Sequence, residues 1–266
     1  MRYAEHAPPD GLATVLHCLW TFEDEEGSAE PQRIVPDGRC ELIVHLADPC
    51  REVGSDARQP RVVFAGQLTR PLWLAATGPC RVIGARFRPA GARAFAGGSM
   101  RRTTDRRLAL AQLEPGLAWT GAASIARLPS VAERIDAVCA WITQRISRLA
   151  LPEDVAACIA AARIEAGAGN VDVAALAAEA GLSRRQLERR FADQVGVAPA
   201  MLAAIFRFRR VFDVIEHGGR RPWTDAALEA GYFDQSHLIR DFRRFVGCTP
   251  TEFAASRPGL ATALVE

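Results

Sequence analysis

The chain has 266 residues, of which 49% are hydrophobic and 24% charged, with a formal net charge of +2. That balance is ordinary for a soluble globular protein, and the length allows two domains, each with its own core. It lacks the ~20 uninterrupted apolar residues of a membrane span, and the opening MRYAEHAPPDGLATVLHCLW carries an early acidic residue and does not read as a secretory signal.

Residues 11–95 read as short strands separated by turns. RIVPDGRCELIVHL (33–46) places a Pro-Asp-Gly turn before a β-rich run, in which Leu42, Val44 and Leu46 share one face and Glu41, Ile43 and His45 the other. RVVFAGQL (61–68), PLWLAAT (71–77) and CRVIGARFRP (80–89) supply further strands, and ADPCREVGSDARQP (47–60) reads as an exposed loop. Short strands punctuated by turns predict a small barrel or sandwich, with the strand order left open.

From about residue 90 the pattern becomes helical. In SVAERIDAVCAWITQRISRL (130–149), Val131, Ile135, Val138, Ile142 and Ile146 recur at intervals of three or four. Such a helix packs on its own domain or, in the sharper reading, also pairs with a second protomer. Pro152, Glu153 and Asp154 suit the start of the next helix, so the boundary between the halves falls near 149–152.

A duplication follows. ALAAEAGLSRRQLERRFADQVGVAP (175–199) recurs as AALEAGYFDQSHLIRDFRRFVGCTP (226–250). Ala177 and Gly181 recur as Ala227 and Gly231, and Phe191, Gly196 and Pro199 as Phe242, Gly247 and Pro250, with one extra residue in the second turn. A small Ala lets two helices cross closely, and a Gly with positive φ ends one helix and redirects the chain. Ser183 and Asp234 are suitable N-caps, while Leu187 with Phe191 and Leu238 with Phe242 give each following helix a buried face. This spacing predicts two helix-turn-helix units. PAMLAAIFRFRRVFDVIEHGG joins them as one helix with the apolar stripe Leu202, Ile205, Phe208, Phe212 and Ile215, stopped at Gly218-Gly219.

All 33 basic residues are arginine and Asn170 is the single asparagine, a usage that reads as genomic codon bias. Residues 152–258 hold 14 Arg against 14 Asp or Glu, so bulk charge says nothing about nucleic acid and position must carry the case. Arg184, Arg190, Arg243 and Arg244 lie free of the predicted core and suit phosphate contacts, unless some of these arginines only pair with Glu179, Asp193 or Asp241.

The run ALEAGYFDQSHLIRDFRRFVGCTPTEFA (227–254) and its partner at 175–199 closely resemble the DNA-binding module of the AraC/XylS family of bacterial transcription regulators. The resemblance covers roughly 152–256, departing from the family pattern at Ala254, where Arg is usual, and at Leu202, where an aromatic is common. It implies that Arg185, Glu188 and Arg189 face bases from the first unit and Ser236, His237 and Arg240 from the second. Arg pairs bidentately with guanine, Glu accepts from cytosine, and Ser or His serves at either purine.

IVPDGRCELIVHL and VIGARFRPAGARAF resemble the sensor half of one subgroup of these regulators, whose cupin-like β domain commonly binds a small effector beside helices for dimerisation. Trp20, Phe22, Glu41, His45, Trp73, Arg86 and Phe87 are the candidate effector residues, although Trp20, Phe22 and Trp73 also suit plain core packing.

The expected architecture is α+β: a cupin-like β barrel or sandwich over 1–100, a helical linker and dimerisation segment over 101–150, and an all-α DNA-binding domain over 152–256, with helix-turn-helix units at about 173–195 and 223–245. The expected partners are a double-stranded DNA operator, a small-molecule effector of unknown identity, a second copy in a homodimer and, for an activator, RNA polymerase; no membrane is expected. No nucleophile–base pair indicates an enzyme, and one His with one carboxylate is too few for a metal. No cofactor is expected. Seven scattered cysteines without a C-x-x-C pair argue against a disulfide framework or a zinc site and fit a reducing cytoplasm.

Overall fold

The computed structural model describes residues 1–27, 30–218 and 223–255. Gly219 and the side chains of Ile215 and Ala254 lie outside the described residues.

The N-terminal half is built from two antiparallel sheets. The larger has the order β1-β2-β8-β4-β6-β9, from β1 (Arg2–His6), β2 (Leu16–Asp24), β8 (Cys80–Phe87), β4 (Glu41–His45), β6 (Val62–Ala65) and β9 (Arg107–Ala109). The smaller has the order β3-β7-β5, from β3 (Gln32–Ile34), β7 (Leu72–Ala75) and β5 (Arg51–Glu52). Period-two alternation sorts the side chains of the large sheet. Leu19, Leu42, Val44, Ile83, Ala85 and Phe87 face one way and join a core with Phe95 and the helical residues Ile135, Val138 and Ile142. Cys18, Trp20, Phe22, Cys80 and Val82 form a second cluster on the opposite face, toward the small sheet.

Short helices α1 (Ala92–Ala96), α2 (Leu110–Leu113) and α3 (Ala122–Ile125) lead to the long α4 (Val131–Leu149). Ser130 caps α4 by accepting from the Glu133 backbone N–H at 3.2 Å. Its apolar stripe lies on the large sheet, and buried Arg145 ties it down by donating to the Phe95 carbonyl at 3.2 Å and the Glu114 carboxylate at 2.6 Å. The helix thus packs on its own domain. The layers run helix, large sheet, small sheet.

The C-terminal half is helical: α5 (Val155–Ala166), α6 (Val173–Glu179), α7 (Arg184–Val195), α8 (Pro199–Gly218), α9 (Trp223–Glu229), α10 (Gln235–Phe245) and α11 (Pro250–Ala255). It has two cores. One gathers Ala157, Ile164, Leu176, Leu187, Phe191 and Leu202 around α5 to α7; the other gathers Phe208, Phe212, Leu238, Phe242 and Phe245 around α8 to α10. Helix α8 contributes to both, because its apolar stripe runs from Leu202 and Phe206 in the first core to Phe208, Phe212 and Val214 in the second. None of the described helices is long and apolar enough to cross a membrane.

Candidate functional site

Helices α6 and α7 make one helix-turn-helix unit and α9 and α10 the other. At the turns Gly181 has φ 64° and Gly231 φ 91°, a backbone region costly for a residue with a Cβ. A Cβ on Gly231 would also lie 2.3 Å from Oδ1 of Asn170, the residue that links α5 to α6, so the second turn rests against the first unit. Ser183 caps α7 in a capping box: its Oγ accepts from the Gln186 N–H at 3.3 Å, and Gln186 accepts from the Ser183 N–H at 2.8 Å. Asp234 caps α10 by accepting from the His237 N–H at 2.7 Å.

Leu187, Phe191, Leu238 and Phe242 are each fully buried, which turns the polar faces outward. Arg185, Arg189, Arg190, Ser236, Arg240, Arg243 and Arg244 are exposed, and Glu188 and His237 are half-buried. Some of these groups have protein partners. Arg184 pairs with Glu188 at 3.0 Å along α7, and Arg190 approaches Asp154 at 3.9 Å. The ring of His237 stands edge-on to Tyr232 and lies 3.9 Å from Asp241, whose carboxylate accepts from the Tyr232 hydroxyl at 3.0 Å. Glu179 pairs with Arg163, and Asp193 with Ser99 and Arg101. Phe233, at the tip of the second turn, is 90% exposed. Phe233 is not among the residues expected from the sequence; its place beside the Asp234 cap is the signal that could have found it.

Between the two sheets lies a cavity of about 150 Å³. Trp20, Phe22, Glu41, His45 and Arg86 line it together. Phe87 does not: one residue along β8 from Arg86, it points into the opposite core, where it is fully buried. Trp73 does not line it either; partly exposed on β7, it stacks under the Arg33 guanidinium at 4.5 Å. Trp20 lies flat across β8 at Gly84, where a Cβ would meet its ring at 2.0 Å. Its Nε1 donates to Glu41 at 3.1 Å.

One end of the cavity is charged. Arg86 donates to Glu41 at 2.8 Å and Glu5 at 2.9 Å and lies 3.5 Å from Asp37. Burial pushes the Glu41 carboxyl above the usual carboxylate range against the pull of Arg86. Burial would lower the Arg86 guanidinium, but Glu41 and Asp37 more than offset it and hold it above its ordinary value. Arg209 reaches this end from α8; burial lowers it, opposed by Asp37. Nothing in the local pattern of α8 marked Arg209, because only the tertiary fold brings that helix to the sheets.

Toward the other end, His45 Nε2 lies 3.2 Å from Gln59 Oε1, which assigns the proton to Nε2 and leaves Nδ1 an acceptor without a hydrogen-bond partner among the described residues. Burial pushes His45 down to about 4, so the ring is neutral.

The N-terminal half also grips the helical half at several points. Ser99 donates to Asp193 at 2.6 Å, Arg101 lies 3.3 Å from Asp193, and Thr104 donates to the Gly196 carbonyl at 2.6 Å, which fixes the C-terminal end of α7. Gln194 donates to the Ala90 carbonyl at 2.9 Å. The turn at Gly38 packs on Leu202 and Phe206 of α8, beside an Arg39–Glu165 pair at 2.6 Å. Arg33 donates to Cys248 Sγ at 3.3 Å, touching the second unit.

Residues 4–109 match the family described as "Domain of unknown function (DUF6597)", and residues 176–256 match the family described as "Helix-turn-helix domain". No curated protein matches the chain. Among solved structures, the 1.65 Å structure of ToxT from Vibrio cholerae is similar with a TM-score of 0.51 at 10% identity, covering 91% of this chain and 98% of that one. ToxT from Vibrio cholerae O395 bound to (E)-4-(8-methylnaphthalen-1-yl)but-3-enoic acid gives 0.49 at 10% identity, with 95% and 98% covered. At such identity the first likeness is one of fold. The chain carries an AraC-type helix-turn-helix domain at its C-terminus, joined to an N-terminal domain of unknown function.

Proposed function

We propose that this protein is a sequence-specific transcription regulator that binds a double-stranded DNA operator through two helix-turn-helix units and responds to a small molecule in the cavity of its N-terminal half. The observation that carries the reading is the pair of capped helices α7 and α10, each with a buried apolar face and an outward polar one, joined by the 20-residue α8. A helix of that length spans ~30 Å, close to the ~34 Å of one DNA turn, so one protomer suits adjacent major grooves. On this reading Arg185, Glu188 and Arg189 read bases from α7, and Ser236, His237 and Arg240 from α10. Arg184, Arg190, Arg243 and Arg244 then hold phosphates, with Arg184 exchanging its Glu188 partner for the backbone.

Arg209 supports the coupling. It stands on α8, the helix shared by both units, and lines the cavity between the sheets. An occupant that prefers one position of Arg209 biases α8 and hence the spacing of the units. A volume of about 150 Å³ suits a molecule near the size of one aromatic ring. The division into an effector domain (1–100), a linker (101–150) and a DNA-binding domain (152–256) follows the same reading, except that the linker is not wholly helical: β9 (Arg107–Ala109) pairs with β6 at the edge of the large sheet. The chain acts at the DNA, in the cytoplasm, and not as an enzyme. The outer face of α4 is the surface offered to a second copy, and an activator of this kind would also meet RNA polymerase.

The test is a mobility-shift titration of full-length protein on double-stranded DNA from the region upstream of its own gene. A specific shift that Arg189→Ala combined with Arg240→Ala abolishes, in a variant with an unchanged melting curve, supports the reading. Equal binding by the double variant and the parent would sink it.

A further inference from the structure

Cys50 and Cys80 lie 30 positions apart in sequence, and both line the cavity between the sheets. The topology explains why they meet. Leu46 donates to the Arg81 carbonyl at 2.7 Å and Asp48 to the Pro79 carbonyl at 3.1 Å, extending the pairing of β4 with β8 in the large sheet. By Arg51 the same strand pairs instead with Ala75 in the small sheet. Residues 46–51 and 75–81 therefore form a two-stranded corner that folds from one sheet to the other, pinned further by Thr77 donating to the Pro49 carbonyl at 2.9 Å. Cys50 and Cys80 sit on its inner side, packed together with Val82 and Phe22. Arg86 and Arg209 mark the opposite end, six residues along β8 and so ~20 Å away.

We propose that Cys50 and Cys80 are a redox-active dithiol that a small hydroperoxide, admitted to the cavity, oxidises to a disulfide that staples the two sheets at this corner. Geometry assigns the roles. Cys50 is half-buried and Cys80 buried, so of the two thiols lining the cavity Cys50 is the more accessible to an incoming peroxide. The interaction of the two side chains acts in the same sense, lowering Cys50 from the ordinary thiol range and raising Cys80 above it. The thiolate is the nucleophile, so Cys50 attacks and Cys80 resolves.

The Cys50 thiolate, having released its proton to solvent, attacks the terminal peroxide oxygen and the O–O bond breaks. The alkoxide takes a proton and leaves as alcohol, or as water from hydrogen peroxide, giving the Cys50 sulfenic acid. Cys80 loses its proton and attacks the Cys50 sulfur; the S–O bond breaks and hydroxide leaves with that proton as water. Two thiols are oxidised by two electrons and one hydroperoxide is reduced to alcohol and water. This chemistry is independent of DNA binding and is read on the thiols themselves.

The experiment treats the reduced full-length protein with hydrogen peroxide, alkylates the remaining thiols and maps peptides without reductant. A crosslinked Cys50–Cys80 peptide is expected, lighter by two hydrogens, forming before oxidation at the half-buried Cys158 and Cys248 and lost on adding dithiothreitol. Cys80→Ser should let dimedone trap the Cys50 sulfenic acid, and Cys50→Ser should lose the crosslink and leave Cys80 alkylatable. Oxidation confined to Cys158 or Cys248, with Cys50 and Cys80 still alkylated, overturns the dithiol in the parent protein whether or not either variant folds. Dimedone trapping at Cys80 rather than Cys50 overturns the roles.

Discussion

In the first helix-turn-helix unit, Phe191 is buried in a mainly aliphatic cluster that includes Ala157, Ala160, Ala161, Ile164, Leu176 and Leu202. Its counterpart Phe242 meets rings instead: Trp223 at 5.1 Å, Phe208 at 5.2 Å, Phe253 at 5.6 Å and Phe212 at 5.8 Å, mostly edge-on. The first unit is bolted to the N-terminal half through Ser99, Arg101, Thr104 and Ala90. The second touches that half mainly through Arg33 and Val35. The repeated sequence thus specifies two similar shapes held by different forces. Polar contacts to the N-terminal half position one unit, and an aromatic core of its own supports the other.

The comparison breaks most visibly at the aromatic core. Phe242→Ala should cost ~3–5 kcal/mol of stability, since several rings lose a shared partner. Phe191→Ala should cost less, because its cluster is mainly aliphatic and forfeits no comparable set of ring–ring contacts. Denaturant melts of both variants decide the order, and an equal loss would show that the two cores bear equal weight.

Binding is the next scale. Arg189 and Arg240 stand at equivalent positions, two before the buried Phe. Each Ala variant should lose ~1–3 kcal/mol on the cognate operator and relax one base pair. Arg243→Ala should weaken all sequences alike and make the salt dependence shallower by about one phosphate. If Arg240→Ala left the preferred base unchanged, that residue would not be reading it.

Removing the bolt is a smaller change. Ser99→Ala deletes the 2.6 Å bond to Asp193 and should cost ~1 kcal/mol. Amide exchange should quicken in the last turn of α7 and stay unchanged in α10. Equal acceleration in both helices would mean the units are clamped as one.

The smallest effect concerns one pair of equivalent positions, Arg190 and Asp241. Arg190 is exposed, whereas Asp241 is buried beneath Tyr232. Burial raises the Asp241 carboxyl above its ordinary value despite the Tyr232 hydrogen bond. A raised carboxyl binds its proton more tightly folded than unfolded, so its contribution is greatest below the ordinary Asp range and is lost as pH rises through the raised value. Asp241→Asn keeps an acceptor for Tyr232 and removes the cost of ionising there. Its melting midpoint should match the parent in acid and exceed it at neutral pH. A lower midpoint at neutral pH would mean that the carboxylate is net stabilising.

The helical half was legible in the sequence because its signals are local. Caps such as Ser183 and Asp234, turn glycines and apolar residues four apart act within one or two helical turns, and their recurrence excludes coincidence. Alternation in Glu41–Leu46 was legible for the same reason, since neighbours in a strand point opposite ways. That same rule separates Arg86 from Phe87, although both stood together as cavity candidates.

Local patterns along the chain specify the doubled helix-turn-helix, its connecting helix and the β-rich character of the first half. Only long-range packing fixes the order of the nine described strands in two sheets, the placement of Arg209 at the cavity between them, and the meeting of Cys50 with Cys80. Each of these depends on contacts between residues far apart in the chain, where loop closure and the packing of whole layers set the outcome and no short-range preference records it.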